Sequence, residues 1–110
     1  MIEPEDEFEA PASMAELVDG AVAELAGIDR TDQAGTFTLS RAGRPFAALA
    51  GANLDVRLDP IVAGAALRTP DTTDSSRGTG WIRFAPPARD RYAAERVSAW
   101  LGYAWRHALD

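Results

Sequence analysis

Hydrophobic and polar positions follow a helical period near both ends of the chain and a period of two between them. The first helical stretch covers residues 13–27, and its apolar positions are Met14, Leu17, Val18, Ala21, Val22 and Leu25. This spacing places one apolar stripe along a helix. Ser13 and Glu16 have the spacing of a capping box at its start, and Gly27 is suited to its end.

Alternation replaces the helical period after Gly35. Residues 36–40 and 54–58 alternate between apolar and polar side chains, which is typical of half-buried strands. Residues 45–50 follow a turn and predict the hairpin partner of the first strand, while residues 81–84 predict a fourth strand. Residues 29–35 are predicted to form a loop.

Two further helices are predicted. Asp59 and Pro60 suit the N-cap and first position of a short helix over 60–68. A long helix is expected from residue 90 to near the C-terminal end. Between them, residues 69–80 form a twelve-residue segment without an apolar anchor, which is more typical of a solvated loop.

These elements predict an α+β fold in the order α-β-β-β-α-β-α. We expect an antiparallel sheet of about four strands with helices packed on one face. Residues 12–110 form a single domain in this interpretation. Residues 1–11 carry five acids and two prolines, which predicts a flexible acidic arm.

The amino-acid composition excludes several kinds of functional site. The 110 residues include no Cys, no Lys and one His, so disulfides, thiolate metal sites, Schiff-base lysines and multi-histidine metal sites are excluded. We expect no metal, no cofactor and no catalytic residue set. The acidic start is the opposite of a signal peptide's basic region, and the apolar runs are too short to span a bilayer. A cytoplasmic protein without membrane contact is therefore expected.

The net charge of −6 is an average over two unlike parts. Residues 1–35 carry ten acids and one Arg, whereas residues 36–110 carry ten Arg and seven acids, a net charge of +3. Nucleic acid is not favoured by the overall charge, but an anionic ligand is not excluded. The acidic arm could also fold back onto the basic part.

Alternation assigns a set of mostly polar side chains to the sheet face opposite the core: Thr36, Thr38, Ser40, Asp55, Arg57, Trp81 and Arg83. An outward Trp with neighbouring Arg residues could contact a protein partner or a second copy in a homodimer. It could also stack a planar ligand or a nucleic acid. Alternatively, a helix or loop covers Trp81 and it belongs to the core. The candidate binding residues are Trp81, Arg83, Arg57, Arg44 and Arg77.

Two other candidates have simpler interpretations. Asp71 and Asp74 lack the pattern of a calcium loop, and the amides of residues 77–80 precede no helix that would strengthen an anion site. His107 lies near a predicted helix end, where a structural role is the usual one.

Three short motifs resemble the MmcQ/YjbR-like family of small α+β proteins. They are Gly-Arg-Pro-Phe-Ala at 43–47, Leu-Asp-Val-Arg-Leu-Asp-Pro at 54–60, and Gly-Trp-Ile-Arg-Phe at 80–84 before the aromatic segment 100–104. Arg44 and Arg57 stand where that family has Lys, and Gly102-Tyr103 stands where it has Ser-Tyr. A small "luciferase-like" domain is similar in the same places. The resemblance implies helices on one face of an antiparallel sheet and leaves the activity open, although DNA binding has been proposed for the first family.

The hypothesis that follows is a non-catalytic binding or interaction module that uses the Arg- and Trp-bearing sheet face. The alternatives are a DNA-binding protein of MmcQ/YjbR type and a small-substrate enzyme that uses residues 69–80.

Overall fold

The computed structural model describes residues 13–87 and 92–109, which form three helices and six strands. In chain order these are α1 (Met14–Val22), β1 (Ile28–Gln33), β2 (Thr36–Arg41), β3 (Arg44–Ala50), β4 (Asn53–Arg57), α2 (Pro60–Ala66), β5 (Thr72–Asp74), β6 (Trp81–Phe84) and α3 (Ala93–His107). None of the helices in this part of the chain is long and apolar enough to cross a membrane. The predicted arm at 1–11 and the predicted start of the last helix at residue 90 lie outside the described residues.

All six strands belong to one antiparallel sheet with the order β1-β2-β3-β4-β6-β5. The first four strands form a meander, because two-residue turns join them. Ala34 and Gly35 both have positive φ, as do Ala42 and Gly43, which is the backbone that tight hairpins need. The α2 helix then carries the chain across, so that β6 lies between β4 and the edge strand β5.

The α+β class with an antiparallel sheet is confirmed, but the sheet has six strands rather than about four. The segment predicted as a loop at 29–35 contains most of β1, and the predicted loop at 69–80 contains β5. Neither strand shows apolar alternation: five of the six β1 residues are exposed, and β5 has only three residues.

The core lies between one face of the sheet and the helices. Its buried strand residues are Phe37, Leu39, Phe46, Ala47, Leu49, Leu54, Val56, Ile82 and Phe84. The helices add Met14, Val18, Ala63, Ala66, Val97, Leu101 and Ala104, and Ala108 follows directly after α3. The face of α3 that carries Val97, Leu101 and Ala104 therefore packs on the sheet.

Local capping signals start two of the helices as predicted. At α1 the Ser13 Oγ accepts from the Glu16 amide at 3.2 Å, and the Glu16 carboxylate accepts from the Ser13 amide at 2.8 Å. At α2 the Asp59 carboxylate accepts from the Ile61 amide at 2.8 Å. The end of α1 differs from the prediction, because the helix stops at Val22, well before Gly27.

Candidate functional site

The centre of the outer sheet face, opposite the helices, is a buried carboxylate. Asp55 lies on β4 between the core residues Leu54 and Val56, so its side chain points away from the core, yet it is only 2 % exposed. Its cross-strand neighbours are Ala48 on β3 and Arg83 on β6. A buried carboxylate is costly unless it is paired and hydrogen-bonded, and Asp55 is both.

Three side chains donate to this carboxylate. The Arg83 Nε contacts Oδ1 at 2.9 Å while its Nη2 contacts Oδ2 at 3.1 Å, which makes a two-pronged pair. The Arg77 Nε donates to Oδ2 at 2.9 Å, and the Ser75 Oγ donates to the same oxygen at 3.1 Å. Charge-assisted bonds of this kind are short and strongly directional, so both guanidinium groups are held in fixed positions.

Electrostatics keep this carboxylate ionised. Burial alone would raise the pKa of Asp55, but hydrogen bonds from Arg83 and Arg77, the charge of Arg83 and the Ser75 hydroxyl together hold it below its usual value. The same contact raises the pKa of Arg83. Asp55 is thus saturated with donors and does not suit proton transfer near neutral pH.

The segment between β5 and β6 brings Ser75 and Arg77 to this position. The Ser75 amide donates to the Trp81 carbonyl at 3.2 Å, and the Trp81 amide donates to the Gly78 carbonyl at 3.1 Å. Gly80 has a φ of +85°, and a Cβ there would lie 2.7 Å from the Leu58 carbonyl oxygen. Residues 75–80 therefore form a hydrogen-bonded connection between β5 and β6, in which Ser75 is buried and residues 76–79 are exposed as the sequence predicts for a solvated loop.

Trp81 and Arg57 complete the face. They are directly opposite each other on β6 and β4, and the Arg57 Nε donates to the Pro45 carbonyl at 3.3 Å. Trp81 is half-buried, so it is neither a core residue nor fully exposed, and the Arg77 guanidinium lies 5.7 Å from its ring centre. We refer to Asp55, Arg57, Arg77, Trp81 and Arg83 as the outer-face cluster. Its three Arg and one Asp give it a net charge of +2.

Arg44 is the predicted site residue that does not belong to this cluster. Its Nη1 donates to the Ala108 carbonyl at 3.4 Å, beyond the C-terminal end of α3. Arg41, its partner across the β2–β3 turn, donates to the Trp105 carbonyl at 2.9 Å and stacks on the Trp105 ring. Both Arg residues therefore bind helix-end carbonyls on the helix-bearing side of the sheet.

The alternation of residues 54–58 predicts that Asp55 lies on the polar side of its strand, but it does not show that Asp55 is the centre of the cluster. Ser75 lies within the segment 69–80, for which the sequence predicts a loop. The available signal was a single carboxylate between two core positions, opposite an Arg-bearing strand. Its burial depends on the β5–β6 connection, which no local pattern revealed.

A second feature lies between α2 and α3. A cavity of about 330 Å³ is lined by Asp59, Val62, Tyr103, Arg106 and His107. None of these lining residues belongs to the outer-face cluster or to residues 69–80. Within residues 13–87 and 92–109, no group of three or more His, Asp or Glu side chains could hold a metal ion.

Comparisons with protein-family models, with curated proteins and with solved structures found no significant match to this chain.

Proposed function

We propose that this chain is a non-catalytic binding module whose outer-face cluster binds an acidic segment of a protein partner. The observation that carries the proposal is the convergence of Arg77 and Arg83 on the buried carboxylate of Asp55. Because that carboxylate fixes both guanidinium groups, their remaining N–H donors are oriented before any partner arrives.

The cluster has unused donor capacity. The side chains of Arg77 and Arg83 are 37 % and 38 % exposed. An Arg side chain has five N–H donors in a rigid fork, whereas Arg77 uses its Nε and Arg83 uses two donors on Asp55. Among the described residues, Arg77 has no further hydrogen-bond acceptor. An external carboxylate can therefore bind without breaking the internal pairs.

The composition of the surface favours a protein segment. The cluster lies on the outer face of the sheet, and a half-buried Trp beside Arg is typical of interface centres. The outer-face cluster has a net charge of +2, which attracts carboxylates although the whole chain carries −6. The resemblance to MmcQ/YjbR-like proteins supports DNA as the second candidate.

The test uses a labelled acidic peptide with the sequence of residues 1–12, which holds five acids, and a labelled 20-base-pair DNA duplex. Fluorescence anisotropy is measured with the full chain at low and moderate salt. We expect the peptide to bind, and its affinity to fall at least tenfold in the double variant Arg57→Gln, Arg77→Gln. Arg68→Gln, an exposed Arg outside the cluster, is the matched control and should leave binding unchanged.

The chain's own acidic segment could compete with the peptide. The measurement is therefore repeated in a full-length variant with five acids changed to their amides, at Glu3, Glu5, Asp6, Glu7 and Glu9. Peptide binding in this variant supports the proposal when it is again lost on adding Arg57→Gln and Arg77→Gln. A gain in affinity that both changes leave in place reflects only the less negative net charge and overturns the proposal. Absence of peptide binding in both forms, or equal loss in Arg68→Gln, overturns it. Cluster-dependent binding of the duplex alone overturns it in favour of DNA.

A further inference from the structure

Strand β1 leaves one edge of the sheet open. It pairs with β2 on one side, and no strand of the described residues lies on its other side. Five of its six residues are exposed. Such an edge presents a row of unpaired backbone N–H and C=O groups, which another strand can complete.

The turn at its end shows which backbone groups face outward. Ala34 and Gly35 form a two-residue hairpin loop, so the flanking pair Gln33 and Thr36 is hydrogen-bonded. Hydrogen-bonded pairs alternate along the ladder, and Thr31 and Asp29 also bond to β2. The backbone groups of Arg30 and Asp32 therefore point away from the sheet.

We infer that a second copy of this chain pairs antiparallel with β1, with Thr31 opposite the partner's Thr31. A twofold axis perpendicular to the sheet relates the two copies, and it keeps the helices of both copies on the same side of the joined sheet. Each residue of β1 must therefore lie opposite a partner residue whose side chain points to the same side of the sheet. Two registers then pair five residues of each strand, one centred on Arg30 and the other on Thr31. The first places two guanidinium groups opposite each other, whereas the second places Arg30 opposite the partner's Asp32 twice.

The side chains are already positioned for this register. The Arg30 guanidinium lies 3.8 Å from the centre of the Phe37 ring, and its Nε contacts the Asp32 Oδ1 at 2.9 Å. Its Nη1 also lies 3.5 Å from the Asp19 Oδ1. Both charges are thus fixed beside the open edge, on the helix-bearing face, where the two copies would meet.

Charges on an edge strand usually block association with other strands. Here they block the Arg30-centred register and unrelated apolar strands, but they complement a second copy in the Thr31-centred register. The paired ladder would contain four intermolecular backbone hydrogen bonds, two for each Arg30–Asp32 pair. A contact of five paired residues per copy is smaller than a standard interface of roughly 1,600 Å², so the dimer should dissociate reversibly.

Charge reversal tests the register directly. Sedimentation equilibrium of the full chain should show a monomer–dimer equilibrium, and Arg30→Asp or Asp32→Arg should each weaken the dimer at least tenfold. An equimolar mixture of the two variants should restore it, because each copy then supplies the charge that the other lacks. Asp29→Asn, which lies opposite the partner's uncharged Gln33, is the matched control. Circular dichroism checks that each variant is folded.

A single cysteine provides the second measurement, since the chain has none of its own. Thr31 would form a non-hydrogen-bonded pair with its counterpart, with Cα atoms about 4.5 Å apart, which a disulfide spans. Thr31→Cys should form covalent dimers under mild oxidation. An Asp29→Cys and Gln33→Cys mixture should cross-link, whereas an Asp29→Cys and Thr31→Cys mixture should yield only Thr31→Cys homodimers.

The inference is overturned by a wild type that stays monomeric at millimolar concentration, by charge variants that do not rescue each other, or by mixed dimers of Asp29→Cys with Thr31→Cys. The last result would show the Arg30-centred register instead.

Discussion

Replacing Asp55 by Asn tests whether one carboxylate organises the outer-face cluster. The substitution keeps the size of the side chain and one acceptor oxygen, but it removes the charge. It also turns an amide N–H₂ group towards donors. Arg77 and Arg83 would then lie close together without the anion that separates and orients them.

The expected cost follows from the contacts that are lost. Asp55 accepts four hydrogen bonds, three of them from guanidinium groups. Removing one partner of a fully buried ion pair costs about 3–5 kcal/mol. The two Arg side chains are more than a third exposed and can regain water, so the loss must be discounted for solvent screening. We expect the free energy of unfolding to fall by about 2–3 kcal/mol.

Urea unfolding at pH 7, followed by the fluorescence of the three Trp residues, measures this difference. The midpoint of thermal unfolding should fall by roughly 10 °C or more. The control is Asp74→Asn, which removes an exposed carboxylate from β5 and should change stability by less than about 0.5 kcal/mol. If Asp55→Asn costs no more than Asp74→Asn, the carboxylate does not hold the cluster and the reasoning fails.

Three further outcomes follow from the structure. Folding lowers the pKa of Asp55, so the stabilisation from its carboxylate is present above the unfolded pKa of about 3.9 and is lost as the pH falls through the folded pKa. The difference in unfolding free energy between wild type and Asp55→Asn should therefore shrink below about pH 4 when urea unfolding is repeated at decreasing pH. A difference that stays constant would contradict the assignment. Gly80→Ala should cost about 3 kcal/mol, because its Cβ would meet the Leu58 carbonyl as well as adopt positive φ, whereas Gly43→Ala has open space and should cost only about 1 kcal/mol in the same assay. Ser13→Ala should lower the unfolding free energy by about 1 kcal/mol through loss of the capping box, and an unchanged value would show that α1 does not need it.

The strands that sequence predicted and those that it missed differ in what stabilises them. Strand β2 places Phe37 and Leu39 in the core, so apolar alternation is visible along the chain. Strand β1 instead directs the charged residues Arg30 and Asp32 to this face of the sheet, where Arg30 stacks on Phe37 and pairs with neighbouring acids. A strand stabilised by a ring on its neighbour has no pattern of its own, so local periodicity could not detect it.

Strand β5 was missed for a related reason. Thr72 is buried although it is polar, because its hydroxyl contacts the Thr69 hydroxyl at 2.8 Å and donates to the Pro70 carbonyl at 3.0 Å. Arg96 of α3 binds the same group of oxygens. The polar composition of this segment therefore indicated solvent, whereas the segment is fixed by hydrogen bonds to a distant helix.

The same distinction applies to the candidate site. Alternation alone placed Asp55, Arg57, Trp81 and Arg83 on one face, because that assignment depends only on the period of two. The closure of Arg77 over Asp55 depends on the β4–β6 register and on the β5–β6 connection, which are properties of the tertiary structure. Charge counts could not reveal it either, since an ion pair contributes nothing to the net charge.

The location of the Arg residues finally changes how the basic half of the chain is understood. Several of its positive charges are engaged on the helix-bearing side and cannot meet a partner on the outer face; they are Arg41, Arg44 and Arg96. The outer face retains a net charge of +2 around one buried anion. A Lys at position 83 would keep that charge but could not make the two-pronged contact with Asp55. The proposed binding surface therefore depends on guanidinium geometry as well as on charge, and Arg83→Lys should loosen the cluster even though the electrostatic balance is unchanged.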